Sequence, residues 1–168
     1  MTPEEANVLL AYCVPWIRQE WATTKKVLEA VPTERTEYRP DPKSRTAAEV
    51  AWHAISSEVW FLEGLTRGGF EMSEAERPPE VTSISDMIAW YERKAPPLLE
   101  KLEALPAEKL AEPLSFFGLY NYPAVVYLNF LIGHAIHHRG QLAVYIRPMG
   151  GRLPSIYGGS ADEPFEKP

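Results

Sequence analysis

The sequence predicts an all-α protein, a four-helix bundle with long loops and an irregular C-terminal tail. Apolar residues recur at intervals of three to five along four long segments, which is the spacing of a helix face packed on a core. No segment shows a sustained alternation of polar and apolar residues or the Asn-Gly turn of a hairpin. The 168 residues, with 45% hydrophobic content, suffice for one domain over 1–168.

The first predicted helix runs from Glu4 to Ala30, with Thr2 as the N-cap. Pro15 lies inside it, so we expect a kink or a break there, because proline removes a backbone donor. A proline-bearing loop follows over 31–43.

The second helix should start between 44 and 46 and end at Arg67, before Gly68 and Gly69. It carries His53 in its middle. The polar segment that follows, over 71–82, is predicted to be a surface loop.

The third helix should begin after Ser83 or Ser85 and end near Leu105, bent or split at Pro96-Pro97. A loop over 106–122 then carries an aromatic cluster, and the fourth helix runs from 123 to about 147. The tail over 152–168 is too rich in proline and glycine for a helix and should lie along the bundle surface. The aromatic residues of the loop are Phe116, Phe117, Tyr120 and Tyr122.

The composition of the chain argues against a nucleic-acid-binding, a membrane-spanning or a secreted protein. A net charge of −6 argues against sequence-independent nucleic-acid binding, which needs a basic surface. No apolar stretch reaches the roughly 18 residues that span a bilayer, and the N-terminus lacks the basic start of a signal peptide. The single cysteine, Cys13, fits a reducing compartment and has no histidine spaced to activate it, so we expect a core residue. These features indicate a cytoplasmic protein with no nucleic-acid or membrane partner.

The four histidines of the chain are His53 and a cluster, His134, His137 and His138. His134 and His138 are four residues apart, so on a helix their side chains lie one above the other and both can reach one ion. If the helix with His53 packs alongside, three imidazoles converge and leave a coordination position open, as in catalytic metal sites. The alternative is that they are buried core histidines bonded to their neighbours.

Familiar metal sites are excluded by the residues around the cluster. A zincin needs Glu directly after the first histidine of the pair, where this chain has Ala135. A di-iron carboxylate bundle needs Glu-x-x-His on paired helices, and the predicted fourth helix contains no acid. Three histidines without a carboxylate leave the ion its full charge, which suits it to lowering the pKa of a bound water or thiol.

Several further residues are candidates for supporting roles around the metal. His137 should point away from the ion and serve hydrogen bonding or subunit contact. Gln141 and Tyr145 follow on the same helix and could border the open position, although Gln141 could equally bond between helices. Glu49 and Glu58 flank His53 as possible acceptors that orient it, and solvated surface charge is the favoured interpretation for both.

Three segments of the chain carry recognisable motifs. The predicted fourth helix contains Gly133-His-Ala-Ile-His-His-Arg-Gly-Gln-Leu142, followed by Tyr145-Ile-Arg147. The predicted second helix contains Arg45-Thr-Ala-Ala-Glu-Val-Ala-Trp-His53, and the tail contains Pro154-Ser-Ile-Tyr-Gly158 with Ser160-Ala-Asp-Glu163. These segments resemble, respectively, the last-helix motif, the second-helix motif and, for some members, the C-terminal tail of the DinB/YfiT-like family of metal-dependent enzymes.

The resemblance implies a four-helix bundle, commonly a homodimer, that holds nickel or zinc on His53, His134 and His138. Members of the family include thiol S-transferases that use bacillithiol or mycothiol and a mycothiol-dependent isomerase, so a low-molecular-weight thiol is a possible co-substrate. The aromatic-rich first and third helices also suggest a dimer, because they carry more apolar surface than a small bundle can bury.

The site and the resemblance favour a metal-dependent transferase or hydrolase in which the ion activates a thiol or water to attack a small-molecule electrophile. The aromatic segment 116–122 would then hold an apolar substrate beside the ion. The alternative is a non-catalytic, metal-binding stress-response protein in which the ion is structural. No motif in the sequence selects the substrate or the reaction.

Overall fold

The computed structural model describes residues 1–72 and 76–165 and has the predicted all-α architecture. Its long helices are α1 (Pro3–Glu29), α2 (Ala47–Arg67), α3 (Ile84–Glu103) and α5 (Tyr127–Ile146). A five-residue helix, α4 (Ala107–Ala111), and a two-stranded hairpin, β1 (Pro113–Phe116) and β2 (Tyr120–Pro123), lie between α3 and α5.

The prolines inside the long helices do not break them. Both α1, with Pro15, and α3, with Pro96-Pro97, run without interruption, so the expected break and split do not occur. Buried residues on either side of each proline anchor the flanking turns to the core, which offsets the lost hydrogen bond. These anchors are Val14 and Ile17 in α1, and Ala95 and Leu99 in α3.

The start and end of α2 follow the sequence signals closely. The Thr46 side chain caps the helix and accepts a hydrogen bond from the Glu49 N–H, while Glu49 accepts one from the Thr46 N–H in return. Gly68 ends the helix with φ 82°, a left-handed conformation that favours glycine. This confirmed register fixes where His53 lies along the helix.

The segment predicted as a loop over 106–122 is instead partly ordered as α4 and the hairpin. Phe116 pairs with Tyr120 across a short turn, in which Gly118 has φ 74°. The strands are four residues long, which is too short for alternation to stand out in the sequence. The hairpin places the predicted aromatic cluster on a defined framework.

The functional site depends on how α2 packs. This helix lies against both α3 and α5, and α1 covers the other side of α5. The tail is irregular as expected as far as residue 165, and it is held to the bundle by the ion pairs Lys26–Glu163 and Arg147–Asp162. Residues 73–75 of the predicted loop over 71–82, and 166–168 of the tail, lie outside the described residues. Within the described part of the chain, every helix is too short or too polar to cross a membrane.

Candidate metal centre

Three of the four histidines converge between α2 and α5. One ring nitrogen from each of His53, His134 and His138 lies within 4.8 Å of the others. The ring centroids are 4.3 Å apart for His134 and His138, 4.4 Å for His53 and His138, and 5.1 Å for His53 and His134. This is the convergence that the spacing on α5 and the position of His53 predicted.

The packing of two helices assembles this cluster. His134 and His138 stand one turn apart on the face of α5 that meets α2, flanked by the buried residues Leu131, Ala135 and Leu142. All three histidines are half-buried. The cluster is therefore anchored in the core and still reachable from outside.

The electrostatics of the cluster favour neutral imidazoles. Burial, reinforced by the proximity of His138 and His53, lowers the pKa of His134 to about 4. Burial also lowers the pKa of His138, against the hydrogen bond to Gln141, which raises it. A neutral ring keeps the nitrogen lone pair that a metal requires.

The donor set fits a divalent transition metal. Imidazole nitrogens are the ligands that nickel, copper and zinc accept readily, and three of them leave coordination positions open. The buried Nδ1 of His134 has no hydrogen-bond partner among the described residues, as expected at a site that gains an added group. The residues present therefore suit the metal that the family resemblance implies.

Gln141 and Ser57 contact ring nitrogens of the cluster. The His138 Nδ1 donates a hydrogen bond of 2.9 Å to the Gln141 Oε1, which leaves Nε2 of that ring as the nitrogen with a lone pair. The Ser57 Oγ lies 3.4 Å from the His53 Nδ1. Gln141 was a sequence candidate, but Ser57 was missed, although it lies four residues after His53 on the same helix face.

A cavity of about 640 Å³ opens beside His53 and His134. Its aromatic side chains come from α2 and the hairpin. Its polar residues besides the histidines are Arg45, Glu49, Ser56, Ser57 and Glu71, and Met72 completes the wall. The aromatic residues are Trp52, Trp60, Phe61, Phe116 and Phe117. Phe116 and Phe117 were expected here from the sequence, whereas Trp52, Trp60 and Phe61 were not among the candidates for the site.

The remaining candidates lie around the centre. His137 is exposed and outside the three-histidine group, and its ring packs edge-on against His138 at 4.7 Å. Tyr145 is buried, and its hydroxyl donates to the Arg45 carbonyl at 3.3 Å, so it is not part of the cavity wall. Glu49 is exposed, and the hydrogen bond from the Thr46 N–H lowers the pKa of its carboxyl. Glu49 thus serves as a helix cap at the edge of the cavity.

The prediction that Glu58 is a solvated surface charge was wrong. Its side chain lies in the core, where its Oε2 accepts hydrogen bonds from the Tyr91 hydroxyl at 2.7 Å and the Trp21 indole N–H at 2.9 Å. Burial raises the pKa of this carboxyl to about 7. The burial of Glu58 was hard to recognise from the sequence, because its tryptophan and tyrosine donors lie on other helices.

Arg139, in the middle of the histidine motif, was also overlooked. It is buried and forms an ion pair of 2.5 Å with the buried Glu20 of α1. The Tyr157 hydroxyl of the tail donates to the same Glu20 carboxylate and accepts from Arg139. This link holds the helix that carries His134 and His138 against α1.

A four-helix bundle with three converging histidines on its second and last long helices defines a class of bundle proteins with a candidate metal centre. The chain matches the DinB family model over residues 6–166, nearly its whole length. It therefore belongs to the DinB family, and the resemblance found in the sequence motifs is confirmed.

Relatives and solved structures agree with this membership. The chain is 28% identical to the protein YrdA of Bacillus subtilis over 141 residues, which cover 83% of each chain. It is 25% identical to YjoA of the same organism, over 76% of this chain and 82% of YjoA. A DinB-like protein from Bacillus cereus superposes with a TM-score of 0.73 at 28% identity, covering 86% of this chain and 95% of that one. The structure of YjoA superposes with a TM-score of 0.68 at 21% identity, over 94% and 96% of the two chains, which shows the shared fold.

Proposed function

We propose that this protein is a metal-dependent transferase or hydrolase that acts on a small electrophile. A divalent ion on three neutral imidazoles lowers the pKa of a thiol or water beside it, so that the nucleophilic anion forms at neutral pH. A low-molecular-weight thiol is the co-substrate of the transferase version of this proposal. The observation that carries the proposal is that two of the three clustered histidines, His53 and His134, line a cavity large enough for a substrate.

The residues of the chain have separate roles in this proposal. His53, His134 and His138 hold the ion, and Gln141 fixes the His138 ring with its Nε2 free to bind. The aromatic wall keeps water away from a bound substrate, which strengthens polar interactions at the reacting end. The rigid helices α2 and α5 keep the ligands in position before anything binds.

Metal content tests the ligand assignment. Imidazole ligands and the general order of affinities favour nickel, copper or zinc, of which we expect nickel or zinc. Elemental analysis of untagged protein should show about one ion per chain, lost in His53→Ala and His138→Ala. His137→Ala is the matched control, because His137 lies on α5 beside His138 but outside the group. Full metal retention in both ligand variants would refute the assignment.

Turnover tests the catalytic part of the proposal. The metal-loaded protein is screened with thiols such as bacillithiol and mycothiol against chloronitrobenzenes, and with ester and amide substrates. We expect metal-dependent turnover with at least one pair, lost in His138→Ala. If the metal binds but the whole panel stays unreacted, the alternative of a non-catalytic metal-binding protein replaces this proposal.

We also propose that the chain forms a homodimer, in which exposed apolar residues of α1 are buried. Val8 and Tyr12 lie one turn apart on α1 and are 71% and 65% exposed. The third helix does not contribute as the sequence suggested, because Met87, Trp90 and Tyr91 are buried within the bundle. Light scattering should give twice the chain mass, and Tyr12→Glu should shift the protein toward monomer. A wild-type monomer at high micromolar concentration would refute the dimer.

A further inference from the structure

The cavity beside the histidine cluster changes character along α2. Glu49 lies in the first turn of this helix and His53 one turn further on, followed by Ser56 and Ser57. Trp60 stands seven residues after His53, which places it about 10 Å further along the helix axis. Most of the aromatic lining thus lies on one side of His53 along α2, toward Trp60 and the hairpin, with Trp52 beside His53 and Glu71 accepting from the Trp60 indole N–H through its carbonyl.

The aromatic lining begins next to the histidines and continues to the hairpin. The ring of Phe61 lies 6.0 Å from that of His134 and is nearly parallel to Phe116, at 10° and 6.1 Å. Beyond them Trp60 and Phe117 form a second near-parallel pair, at 21° and 6.1 Å. Flat ring faces of this kind bind planar groups by offset stacking and edge contacts.

Phe117 has a backbone conformation that its side chain does not favour. Its φ is 53°, in the left-handed region, and among residues 1–72 and 76–165 it is the only residue other than glycine with a positive φ. Glycine or asparagine adopts this conformation at lower cost, and turn chemistry alone would select one of them. The ring of Phe117 lines the cavity and stacks on Trp60. Strain of this kind concentrates at ligand-binding sites, where it holds a side chain in its working position.

We propose that Phe117 is a specificity-determining residue, and that this cavity takes substrates with a planar aromatic group. The aromatic group packs against Trp60, Phe61 and Phe117, and the reacting atom faces the three histidines. The cavity of about 640 Å³ has room for one or two fused rings and a short substituent. This inference rests on the proposed function for the place of the reacting atom, whereas aromatic binding itself needs no ion.

Binding of 1,3-dinitrobenzene, an aromatic probe with no leaving group for this chemistry, tests the proposal by calorimetry on the full chain. Phe117→Asn should weaken binding roughly tenfold, the size of a lost aromatic contact, while the melting temperature stays equal or rises because asparagine relieves the strain. Tyr120→Asn is the matched control: Tyr120 lies on the same hairpin and is exposed, but it does not line the cavity. This control should retain wild-type affinity. Phe117→Gly is measured in parallel and should behave as Phe117→Asn does.

Several results would overturn the proposal. The wild type could fail to bind the probe, or it could bind the saturated ring cyclohexanone with equal affinity. Both Phe117 variants could keep the wild-type affinity for the probe, or Tyr120→Asn could lose as much affinity as they do. A lower melting temperature in both Phe117 variants would also contradict the strain argument. Measurements on metal-loaded and chelated protein separate the two proposals. Aromatic binding without metal binding refutes the proposed function alone, and metal binding without aromatic binding refutes this inference alone.

Discussion

Glu58 holds a carboxyl group in the core of the bundle at 1% exposure. Tyr91 and Trp21 both donate to its Oε2, while Oε1 has no partner among the described residues. A charged carboxylate with one unpaired buried oxygen would be costly, so the carboxyl group keeps its proton to a higher pH than usual.

This buried acid predicts a pH dependence of stability. Burial raises the pKa of Glu58 from 4.5 to about 7, so the folded state binds the proton more tightly than the unfolded state. The contribution of protonated Glu58 to the free energy of unfolding is therefore fully present below pH 4.5. It is lost as the pH rises through 7, which lowers the free energy of unfolding by about 3 kcal/mol. The Glu58→Gln variant should lack this pH-dependent change, because its amide has the shape of the carboxyl group but does not ionise.

Urea unfolding at pH 5, 6, 7 and 8 measures this effect as the difference between variant and wild type. The Glu58→Gln variant should gain stability relative to wild type as the pH rises. The low pKa of His134 acts on both proteins and cancels in the difference. Parallel pH profiles for the two proteins would contradict the prediction.

At the residue level, the sequence predicted the histidine cluster better than the carboxylates. His134 and His138 share a helix, so their spacing alone brings them together, and His53 needed only the packing of α2 on α5. The environment of Glu58 depends on Trp21 and Tyr91, which approach from α1 and α3. No local pattern encodes contacts between side chains so far apart in the chain.

The helix α5 carries two of the three clustered histidines, and Arg139 ties it to α1. The Arg139–Glu20 pair is almost fully buried, and the Trp16 indole N–H also donates to Glu20, at 2.8 Å. A buried ion pair contributes little net stability when intact, but breaking it leaves an uncompensated charge in the core. The pair therefore fixes how α5 packs, and with it the positions of His134 and His138.

Replacing one partner of this pair should destabilise the whole protein. We expect Arg139→Met to lower the free energy of unfolding by about 3–5 kcal/mol, and the double variant Arg139→Met with Glu20→Gln to recover much of the loss. Arg147→Met is the matched control, because the Arg147–Asp162 pair at the end of the same helix is 49% exposed on the arginine side. That change should cost less than about 1 kcal/mol. Equal losses in the two arginine variants, measured by urea unfolding, would contradict the structural role of Arg139.

At the level of elements, periodicity and capping residues predicted all four long helices, with ends accurate to within a few residues. Thr2 and Ser83 form the caps that the sequence suggested, and Thr46 caps α2 within the predicted range of its start. The continuity of α1 and α3 through their prolines could not be predicted, because it depends on tertiary burial outweighing a local penalty. The hairpin was missed for the same reason, since its short strands are stabilised by aromatic contacts with α2 and α5. These include the contacts of Phe116 with Phe61 and Phe130.

At the level of the whole molecule, the main hydrophobic core extends well beyond the histidine cluster. The largest fully buried side chains lie along all the long helices, whereas the three histidines are half-buried beside an open cavity. Two buried polar groups, around Glu58 and around Arg139, connect the helices independently of any ion. We therefore expect the bundle to stay folded without a metal.

Metal removal distinguishes a catalytic ion from one that holds the fold together. We expect chelated protein to keep its helical far-UV circular dichroism signal at about 25 °C and to unfold cooperatively. Its melting temperature should fall only by the binding linkage, about 5–10 °C for an ion at 100 times its dissociation constant. His138→Ala is the control, since added metal should no longer raise its melting temperature. Loss of the helical signal on chelation would instead assign the ion a structural role. A bundle that is stable through its own core should not unfold when an ion leaves a half-buried cluster at its edge.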